Sequence, residues 1–146
     1  MCARLELNDT VLQLGQALAV WLEERHSAWL IWAGFARNES LGRWLSMGAQ
    51  LVDIPARRFA ERSNRTRCLI WDDIPLGLVV RGIVDSNSGK PLLKVVTRAA
   101  TAAEFARFEH PRMPLIETPR VSAEEILTPP PVGEQSFIVQ AELFAV

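Results

Sequence analysis

The segment LGLVVRGIVDSNSGKPLLKVVT, residues 76–97, has the clearest secondary-structure pattern in the chain. Two apolar runs flank the tetrapeptide SNSG, in which Asn87 and Gly89 can adopt positive φ angles. This arrangement predicts a β-hairpin. Outside the hairpin, strand-like and helix-like segments follow one another without regular βαβ alternation, so we expect an α+β fold. A length of 146 residues is typical of one domain, here residues 1–146.

The N-terminal half contains several further predicted elements. Apolar residues recur at three-to-four spacing from Val11 to Leu22, which predicts an amphipathic helix over residues ~10–25. The Arg-rich segment after Pro55 is predicted to form a second helix, because proline is favoured at the first helical position. The other predicted elements are strands at 29–35, 50–54 and 67–71, the first and last of them buried, and a short helix at 40–48 that ends at Gly48.

The C-terminal part alternates between short helices and extended segments. Residues 102–108 are predicted to form a helix, and the segment MPLIETP after it is predicted to be extended. SAEEIL carries a capping box, with Ser122 three residues before Glu125. TPPPV is a stiff connector, and SFIVQAELF, residues 136–144, is predicted to be a strand paired within a sheet.

The composition excludes several classes of protein. With 49% hydrophobic residues and five Trp, the chain can bury a core. We find neither a transmembrane run nor a signal peptide, and we expect a cytoplasmic protein without a membrane partner. Cys2 and Cys68 do not make a disulfide framework. Because His26 and His110 are isolated from any metal-ligand motif, we predict no metal and no other cofactor. The oligomeric state stays open.

The positive charge is dominated by arginine, although the net charge is −1. Fourteen of the sixteen basic residues are Arg, whose planar donors match a phosphate group. Five of them lie in ARRFAERSNRTR, residues 56–67: Arg57, Arg58, Arg62, Arg65 and Arg67. This cluster indicates either phosphate binding or a solvated helix face in an Arg-rich protein, and both interpretations stay open.

Cys2 directly follows the start methionine, and this position gives it a distinct chemistry. Removal of Met1, which is common before a small residue, would leave an α-amine and a thiol on the same residue. The amine can condense with an aldehyde, and the thiol can then close a five-membered thiazolidine. An α-amino pKa near ~8 leaves a reactive neutral fraction at pH 7. The alternative is that position 2 simply holds a small residue.

His110 is the second reactive candidate. It lies in HPRMP, a loop bracketed by prolines after a predicted helix, and loops of this kind often position functional groups. A histidine there can transfer protons near neutral pH, although an isolated histidine is more often structural. Asp72 and Asp73 form an acidic pair that can equally be a turn at the end of a strand.

Five short motifs occur in an order that resembles the SOS response-associated peptidase family. They are MCAR at 1–4, WAGFA at 32–36, RCLI at 67–70, VVTRAA at 95–100 and HPRMP at 110–114. Members of that family begin MCGR and continue with a WG motif, RCLIPADGFYEW, a strand ending in T-x-x-A, and HDRMP. The resemblance spans nearly the whole chain, which is shorter than a typical member.

The resemblance implies a protein of the DNA-damage response that binds single-stranded DNA. In that family the N-terminal Cys captures the ring-opened aldehyde of an abasic site as a thiazolidine DNA–protein crosslink, and members are also linked to removal of their own leading residues. The implied fold is a mixed, mostly antiparallel sheet or partial barrel with flanking helices. Cys2 would be the nucleophile, and His110 would assist ring opening or proton transfer.

Five further residues are predicted to contact the DNA. Arg4 beside Cys2 would bind a phosphate, as would Arg57 and Arg58 of the Arg-rich segment. Arg112 would support the His110 loop and contact the DNA strand. Trp32 would stack on a splayed base, with core packing as the alternative.

Departures from the family pattern leave a rival function open. Gly77 stands where the family has a catalytic Glu, and Asp72 or Asp73 would have to replace it. Pro55 stands where one alignment places the family's Asn. A catalytically degenerate descendant, of phage or mobile-element origin, would act only as a DNA-binding or protein-interaction module. Loss of the Glu favours this rival, whereas retention of Cys2 and His110 favours crosslinking.

Overall fold

The computed structural model describes residues 2–130. In this part of the chain there are eleven strands and three α-helices, with a 3-10 turn at Asn38–Ser40. The strands are β1 (Cys2–Leu7), β2 (Thr10–Leu12), β3 (Ala17–Glu23), β4 (His26–Arg37), β5 (Gln50–Ile54), β6 (Arg58–Arg62), β7 (Leu69–Asp73), β8 (Val79–Asp85), β9 (Leu92–Ala99), β10 (Arg112–Pro114) and β11 (Ile116–Glu117). The helices are α1 (Leu41–Ser46), α2 (Ala102–Phe108) and α3 (Ala123–Leu127).

Five strands within residues 2–130 close into a barrel. β3 pairs antiparallel with β4 and β5, and β8 pairs antiparallel with β5 and β9. β9 closes the ring because it also runs parallel to β4. β10 and β11 extend the barrel wall on β9 and β8. The predicted α+β class and the mostly antiparallel sheet are confirmed, and the sheet closes into a full ring.

A second sheet packs against the barrel in the order β2-β1-β6-β7 within the described residues, and all its pairings are antiparallel. Leu5 and Phe59 of this sheet belong to the same buried cluster as Leu18 and Leu93 of the barrel. Each such side chain contributes about 2 kcal/mol when it leaves water. The two sheets therefore share one core, and β1 carries the start of the chain into it.

The barrel interior is tight at Gly82. A Cβ atom built on Gly82 would lie 3.0 Å from side-chain carbons of both Ile54 and Leu93 and 3.1 Å from one of Val52. These three side chains are fully buried. The β8 strand thus approaches its neighbours closely because position 82 has no side chain.

Arg81, next to Gly82, forms a buried network of polar contacts. Its guanidinium is 3% exposed and forms a salt bridge with the buried Asp53. It also donates to Glu117 at 2.8 Å and to the carbonyl of Thr118 at 3.0 Å. The second oxygen of Asp53 accepts from the backbone N–H groups of Arg120 and of the residue after it, at 2.7 and 2.9 Å. This cluster fastens residues 117–121 to the barrel.

Several predicted elements are confirmed. The hairpin at 76–97 is β8–β9, and Gly89 adopts φ +89° in its turn. Asn87 instead donates from its backbone and side chain to Asp85 at 3.0 and 2.9 Å. The strands predicted at 29–35, 50–54 and 67–71 correspond to β4, β5 and β7. The predicted burial is wrong in part, because residues 29–35 of β4 alternate between buried and exposed positions and β7 is only half-buried. Helices α1, α2 and α3 lie where they were predicted. Of the capping box predicted at Ser122 and Glu125, only the hydrogen bond from the Glu125 N–H to the Ser122 side chain is formed, whereas Thr101 and Glu104 form a complete box on α2.

Two predicted helices are wrong. Residues ~10–25 form β2 and β3, and β3 is a barrel strand buried from Leu18 to Leu22. A strand buried on both faces is apolar throughout, so its spacing cannot be distinguished from that of a buried helix. The segment after Pro55 forms β6, because its middle residues are buried and pair with both β1 and β7. The strand predicted at 136–144 lies outside the described residues.

Candidate functional site

One cavity brings the start of β1 together with the loop that follows α2. It has a volume of about 390 Å³, and both Cys2 and His110 line it. The other lining side chains come from β1, the loop before β3, strand β4, the end of β6 and the turn between β6 and β7: Ala3, Arg4, Gln13, Leu14, Phe35, Arg62, Asn64 and Arg67. We call this cavity the Cys2 pocket.

Cys2 begins β1 and lies at the floor of this pocket. A β-bulge separates it from Arg4, so that Cys2 pairs with Glu61 while Arg4 pairs with Ala60. The thiol is 2% exposed, and its Sγ lies 3.3 Å from the carbonyl oxygen of Arg4. Burial raises the pKa of the Cys2 thiol well above its usual range, and the nearby Glu61 carboxyl adds to the increase. The thiol is therefore protonated at neutral pH.

Glu61 is one of the residues of the site that the sequence did not reveal. As the register partner of Cys2 on an antiparallel strand, it lies on the same face of the sheet. Its side chain is 0% exposed. Burial raises the pKa of Glu61 to about 8, so this acid holds its proton at neutral pH and can donate it. Because the segment was predicted to be a helix whose arginines either bind phosphate or face the solvent, nothing in the sequence marked Glu61 as buried.

His110 lies two residues after the last residue of α2. Its Nδ1 lies 3.0 Å from both the backbone nitrogen and the carbonyl oxygen of Arg112. Either neutral tautomer is therefore held in the same position, one accepting from the N–H and the other donating to the carbonyl. Burial lowers the pKa of His110, which keeps the imidazole neutral at pH 7. A neutral histidine at this place can accept or donate a proton.

The turn between β6 and β7 forms one wall of the pocket. Ser63 is fully buried, and its Oγ accepts from the backbone N–H groups of Arg65 and Thr66 at 3.1 and 3.0 Å. Arg67 adopts a φ of +65°, which turns the chain back into β7. Asn64 and Arg67 consequently both reach the pocket from this turn.

The pocket carries positive charge that carboxylates do not neutralise. Within residues 2–130, Arg4, Arg62 and Arg67 form no salt bridge, whereas Arg58, Arg65, Arg81, Arg98, Arg107 and Arg112 each pair with an acid. Arg4 donates to the carbonyl of Ala3 at 2.8 Å, and Arg62 donates to the carbonyl of Arg67 at 2.7 Å. These guanidiniums can bind an anion such as a phosphate.

The aromatic residue of the pocket is Phe35, and Trp32 lies behind it. Trp32 is 0% exposed and packs edge-on against the ring of Phe35, with centroids 5.9 Å apart. A bulge between Trp32 and Gly34 makes Ala33 an extra residue in β4. The indole Nε1 of Trp32 donates to the carbonyl of Gly34 at 3.2 Å and supports this bulge. The predicted stacking of Trp32 on a base is therefore wrong, because its ring is enclosed in the core.

Arg57 and Arg58 lie outside the Cys2 pocket. They line a separate groove of about 340 Å³ beside Leu76 and Leu127, which shares no lining residue with the Cys2 pocket. Arg58 also forms ion pairs with two acids and stacks on a ring of β7: Glu6, Asp73 and Trp71. The predicted DNA contacts of Arg57 and Arg58 are thus not brought to Cys2.

Arg112 braces the His110 loop. Its guanidinium donates to both carboxylate oxygens of Glu39 at 2.6 and 3.1 Å and to the carbonyl of Thr97 at 2.9 Å. These hydrogen bonds hold the pKa of Glu39 down at about 2. The predicted supporting role of Arg112 agrees with this geometry, but its guanidinium is already bonded within the protein.

The acids considered as substitutes for the family Glu do not reach the pocket. Asp72 binds Arg107 at 3.0 Å, and Asp73 lines the groove of Arg57 together with Gly77. Glu61 is the acid that lies beside Cys2.

The described part of the chain contains no group of three or more metal-ligand side chains. No helix among residues 2–130 is long and apolar enough to cross a membrane. Comparison of the chain with models of known protein families, with curated proteins and with solved structures found no match.

Proposed function

We propose that this protein binds single-stranded DNA and forms a covalent crosslink to abasic sites through Cys2. The observation that carries the proposal is the Cys2 pocket itself, which Cys2 and His110 line together although they lie far apart in the sequence. The motif order that resembles the SOS response-associated peptidase family adds support, since these two residues come from its first and last motifs. Removal of Met1 is part of the proposal.

The reaction begins at the α-amine of Cys2. Its nitrogen attacks C1′ of the ring-opened sugar, a C–N bond forms, and the aldehyde oxygen takes up a proton. The resulting carbinolamine loses that oxygen as water and becomes an iminium ion. The thiol of Cys2 then attacks the same carbon, and the iminium electron pair returns to nitrogen. The product is a thiazolidine, formed with the loss of one water and without any oxidant.

Glu61 and His110 are suited to the two proton transfers. A carboxyl that is still protonated at pH 7 can donate to the departing hydroxyl of the carbinolamine. Because the thiol of Cys2 is protonated in its buried position, it needs a base as it attacks. A neutral His110 can serve as that base through Nε2 when Nδ1 donates to the carbonyl of Arg112. The same histidine can assist the opening of the sugar ring.

The walls of the pocket suit a nucleic-acid strand. Arg4, Arg62 and Arg67 supply guanidiniums that can contact phosphates on either side of the lesion. Phe35 presents a half-buried ring to the pocket, where an unpaired base can stack on it. These contacts favour a flexible single strand, because a duplex keeps its bases stacked and paired.

A second function is supported by the burial of the thiol. A Cys2 thiol that is 2% exposed and has a raised pKa is a weak nucleophile at neutral pH. The same pocket would then bind single-stranded DNA without reaction, as a degenerate descendant of a crosslinking enzyme. The two functions differ in one measurable property, the covalent bond.

The test is a crosslinking assay with an oligonucleotide that carries one abasic site. Purified protein, whose intact mass establishes whether Met1 is removed, is incubated with the DNA and separated on a denaturing gel. We expect an adduct with the wild type and none with Cys2→Ala. Cys68→Ala is the matched control, because Cys68 is the more exposed cysteine and its loss should leave the adduct unchanged.

Three outcomes would contradict the proposal. An adduct that persists in Cys2→Ala would move the chemistry to another residue. A Met1-free protein that binds the strand in a salt-dependent way without any adduct would establish the non-covalent function instead. A protein that neither binds nor reacts would remove both functions.

A further inference from the structure

Glu109 connects two of the segments that line the Cys2 pocket, the loop that carries His110 and the β6–β7 turn that carries Asn64 and Arg67. It ends α2 and immediately precedes His110, and it contacts the β6–β7 turn at three points. Its backbone carbonyl accepts from the N–H of Asn64 at 2.9 Å. Its carboxylate accepts from the hydroxyl of Ser63 at 3.3 Å and from Nη2 of Arg65 at 3.2 Å, with Nε of Arg65 on the second oxygen.

We propose that Glu109 is a positioning residue that holds His110 in register with Cys2 by clamping the β6–β7 turn to the end of α2. The inference rests on the proposed function for the role of His110, but the clamp itself is a statement about geometry. Glu109 touches neither the DNA nor the reacting atoms in this account. It acts through the orientation of the imidazole.

The backbone at Glu109 indicates that this geometry is imposed by its contacts. Its φ is +53° and its ψ is +40°, a left-handed conformation that costs a residue with a side chain about 1 kcal/mol. The peptide group that leads into His110 is the one whose carbonyl is bound by Asn64. The direction in which the chain leaves α2, and so the position of the imidazole, is therefore tied to the turn.

The partners of Glu109 have few alternatives. Ser63 is fully buried, so its hydroxyl depends on partners inside the protein. Its oxygen already accepts from two backbone N–H groups of its own turn, and its proton goes to Glu109. Loss of the Glu109 carboxylate thus leaves a buried donor without this acceptor and frees Arg65 at the same time. The turn would loosen from α2 on the side that faces His110.

The same helix offers a matched control. Arg98 and Glu104 form a two-hydrogen-bond ion pair at the other end of α2, at 2.6 and 2.7 Å. Neither residue contacts the β6–β7 turn or lines the Cys2 pocket. Substitution of Arg98 by Gln therefore removes a comparable ion pair without releasing the clamp.

The test measures the crosslinking rate at saturating DNA and the half-saturating DNA concentration. Glu109→Gly suits the left-handed backbone and removes only the side-chain contacts, and Glu109→Gln retains an acceptor for Ser63. We expect Glu109→Gly to lower the saturated rate about tenfold, Glu109→Gln to lower it less, and Arg98→Gln to stay within twofold. The half-saturating concentration should change by less than twofold in all three.

A double substitution separates positioning from a general loss of structure. In a His110→Gln background, Glu109→Gly should slow the reaction no further, because the imidazole that it positions is already gone. Two rate losses that multiply, or a Glu109→Gly protein as fast as the wild type, would overturn the inference.

Titration of His110 by NMR tests the clamp without any DNA. In the wild type the pKa of His110 lies below its ordinary value because the ring is partly buried. Glu109→Gly should raise that pKa towards the ordinary histidine value, and Arg98→Gln should not. If the wild type forms no adduct but this pKa rises, the proposed function fails and the clamp stands. An unchanged His110 pKa in Glu109→Gly would refute the clamp.

Discussion

Two regions of this protein are each built around a buried carboxyl, and they treat it in opposite ways. Asp53 receives the guanidinium of Arg81 and two backbone N–H donors, and the cluster fastens residues 117–121 to the barrel. Glu61 lies behind Cys2, and burial is the main cause that raises the pKa of Glu61 to about 8. A carboxyl bound by matched donors stabilises the fold, whereas one that keeps its proton at neutral pH is available as a proton donor.

The arginines show the same contrast along β6. At the start of this strand, Arg58 is compensated by Glu6 and Asp73. At its end, Arg62 faces the Cys2 pocket together with Arg67 and forms no salt bridge within residues 2–130. The density of arginine in the sequence therefore does not show which arginines lie beside Cys2. The absence of a salt bridge does not show it either, since Arg57 of the other groove also forms none within residues 2–130, and only the folded position of each arginine distinguishes the two sets.

The largest effect is expected from breaking the compensated cluster. Arg81→Met removes the partner of a buried Asp53 and should lower the free energy of unfolding by about 3–5 kcal/mol. Urea denaturation measures this loss. Arg98→Met, which breaks the more exposed pair with Glu104, should cost less than about 1 kcal/mol. Equal losses in the two variants would contradict the structural role of the Asp53–Arg81 cluster.

A smaller change in the free energy of unfolding, here an increase, is expected from substitution of Glu61 at high pH. Because its pKa rises from 4.5 in the unfolded chain to about 8 in the fold, the folded state binds more protons between these values, and stability should fall as pH rises through this window. Glu61→Gln cannot ionise and should flatten this dependence. It should be more stable than the wild type by about 2 kcal/mol at pH 9. Thermal unfolding from pH 5 to pH 9 checks the sign, and a wild type that gains stability over this range would contradict the raised pKa.

The two groups of arginines should differ in DNA binding. Arg4→Gln with Arg67→Gln should weaken binding to a single-stranded oligonucleotide about tenfold and lower the slope of log K against log salt by about 1.4. Arg57→Gln with Arg58→Gln removes the same charge from the other groove and should change affinity less than twofold. Fluorescence anisotropy at several salt concentrations distinguishes them. A larger loss of affinity in the Arg57→Gln, Arg58→Gln protein would indicate that the DNA binds in that groove instead.

The smallest effect is expected at the aromatic pair. Phe35→Ala should weaken strand binding about fivefold, in line with the loss of one stacked base, and Phe35→Trp should restore it. Trp32→Phe should instead act on stability, because Trp32 is enclosed in the core and donates to Gly34. Affinity and urea denaturation measured on the same variants separate the two roles. A Trp32→Phe protein with native stability and impaired binding would reverse the assignment.

Local patterns predicted the parts of the fold that depend on neighbours in sequence. The β8–β9 hairpin follows from two apolar runs around SNSG, and the start of α3 follows from its capping residue Ser122. β3 was predicted as a helix because a strand buried on both faces has no alternation to detect. β6 was predicted as a helix because its register with β1, which buries Phe59 and Glu61, is a tertiary property.

The residues of the candidate site also fall into those that local sequence patterns identify and those that depend on the fold. Cys2 and His110 were found from their chemistry and from their motifs, and the structure places both in one pocket. Glu61 and Phe35 were missed because each depends on a local irregularity or a pairing that short-range patterns do not record. The bulge in β4 lies between Trp32, which is buried, and Phe35, which lines the pocket. The β1–β6 register brings Glu61 to Cys2.

The central claim is that Cys2, with Glu61 behind it and His110 beside it, joins its nitrogen and its sulfur to one sugar carbon. Mass spectrometry of the crosslinked and digested protein tests this most directly. The account predicts DNA attached to a peptide that begins at Cys2, with a mass equal to the sum of the two reactants minus one water and with no free thiol at Cys2. DNA attached to any other residue, or a Cys2 adduct that retains a free thiol, would contradict it.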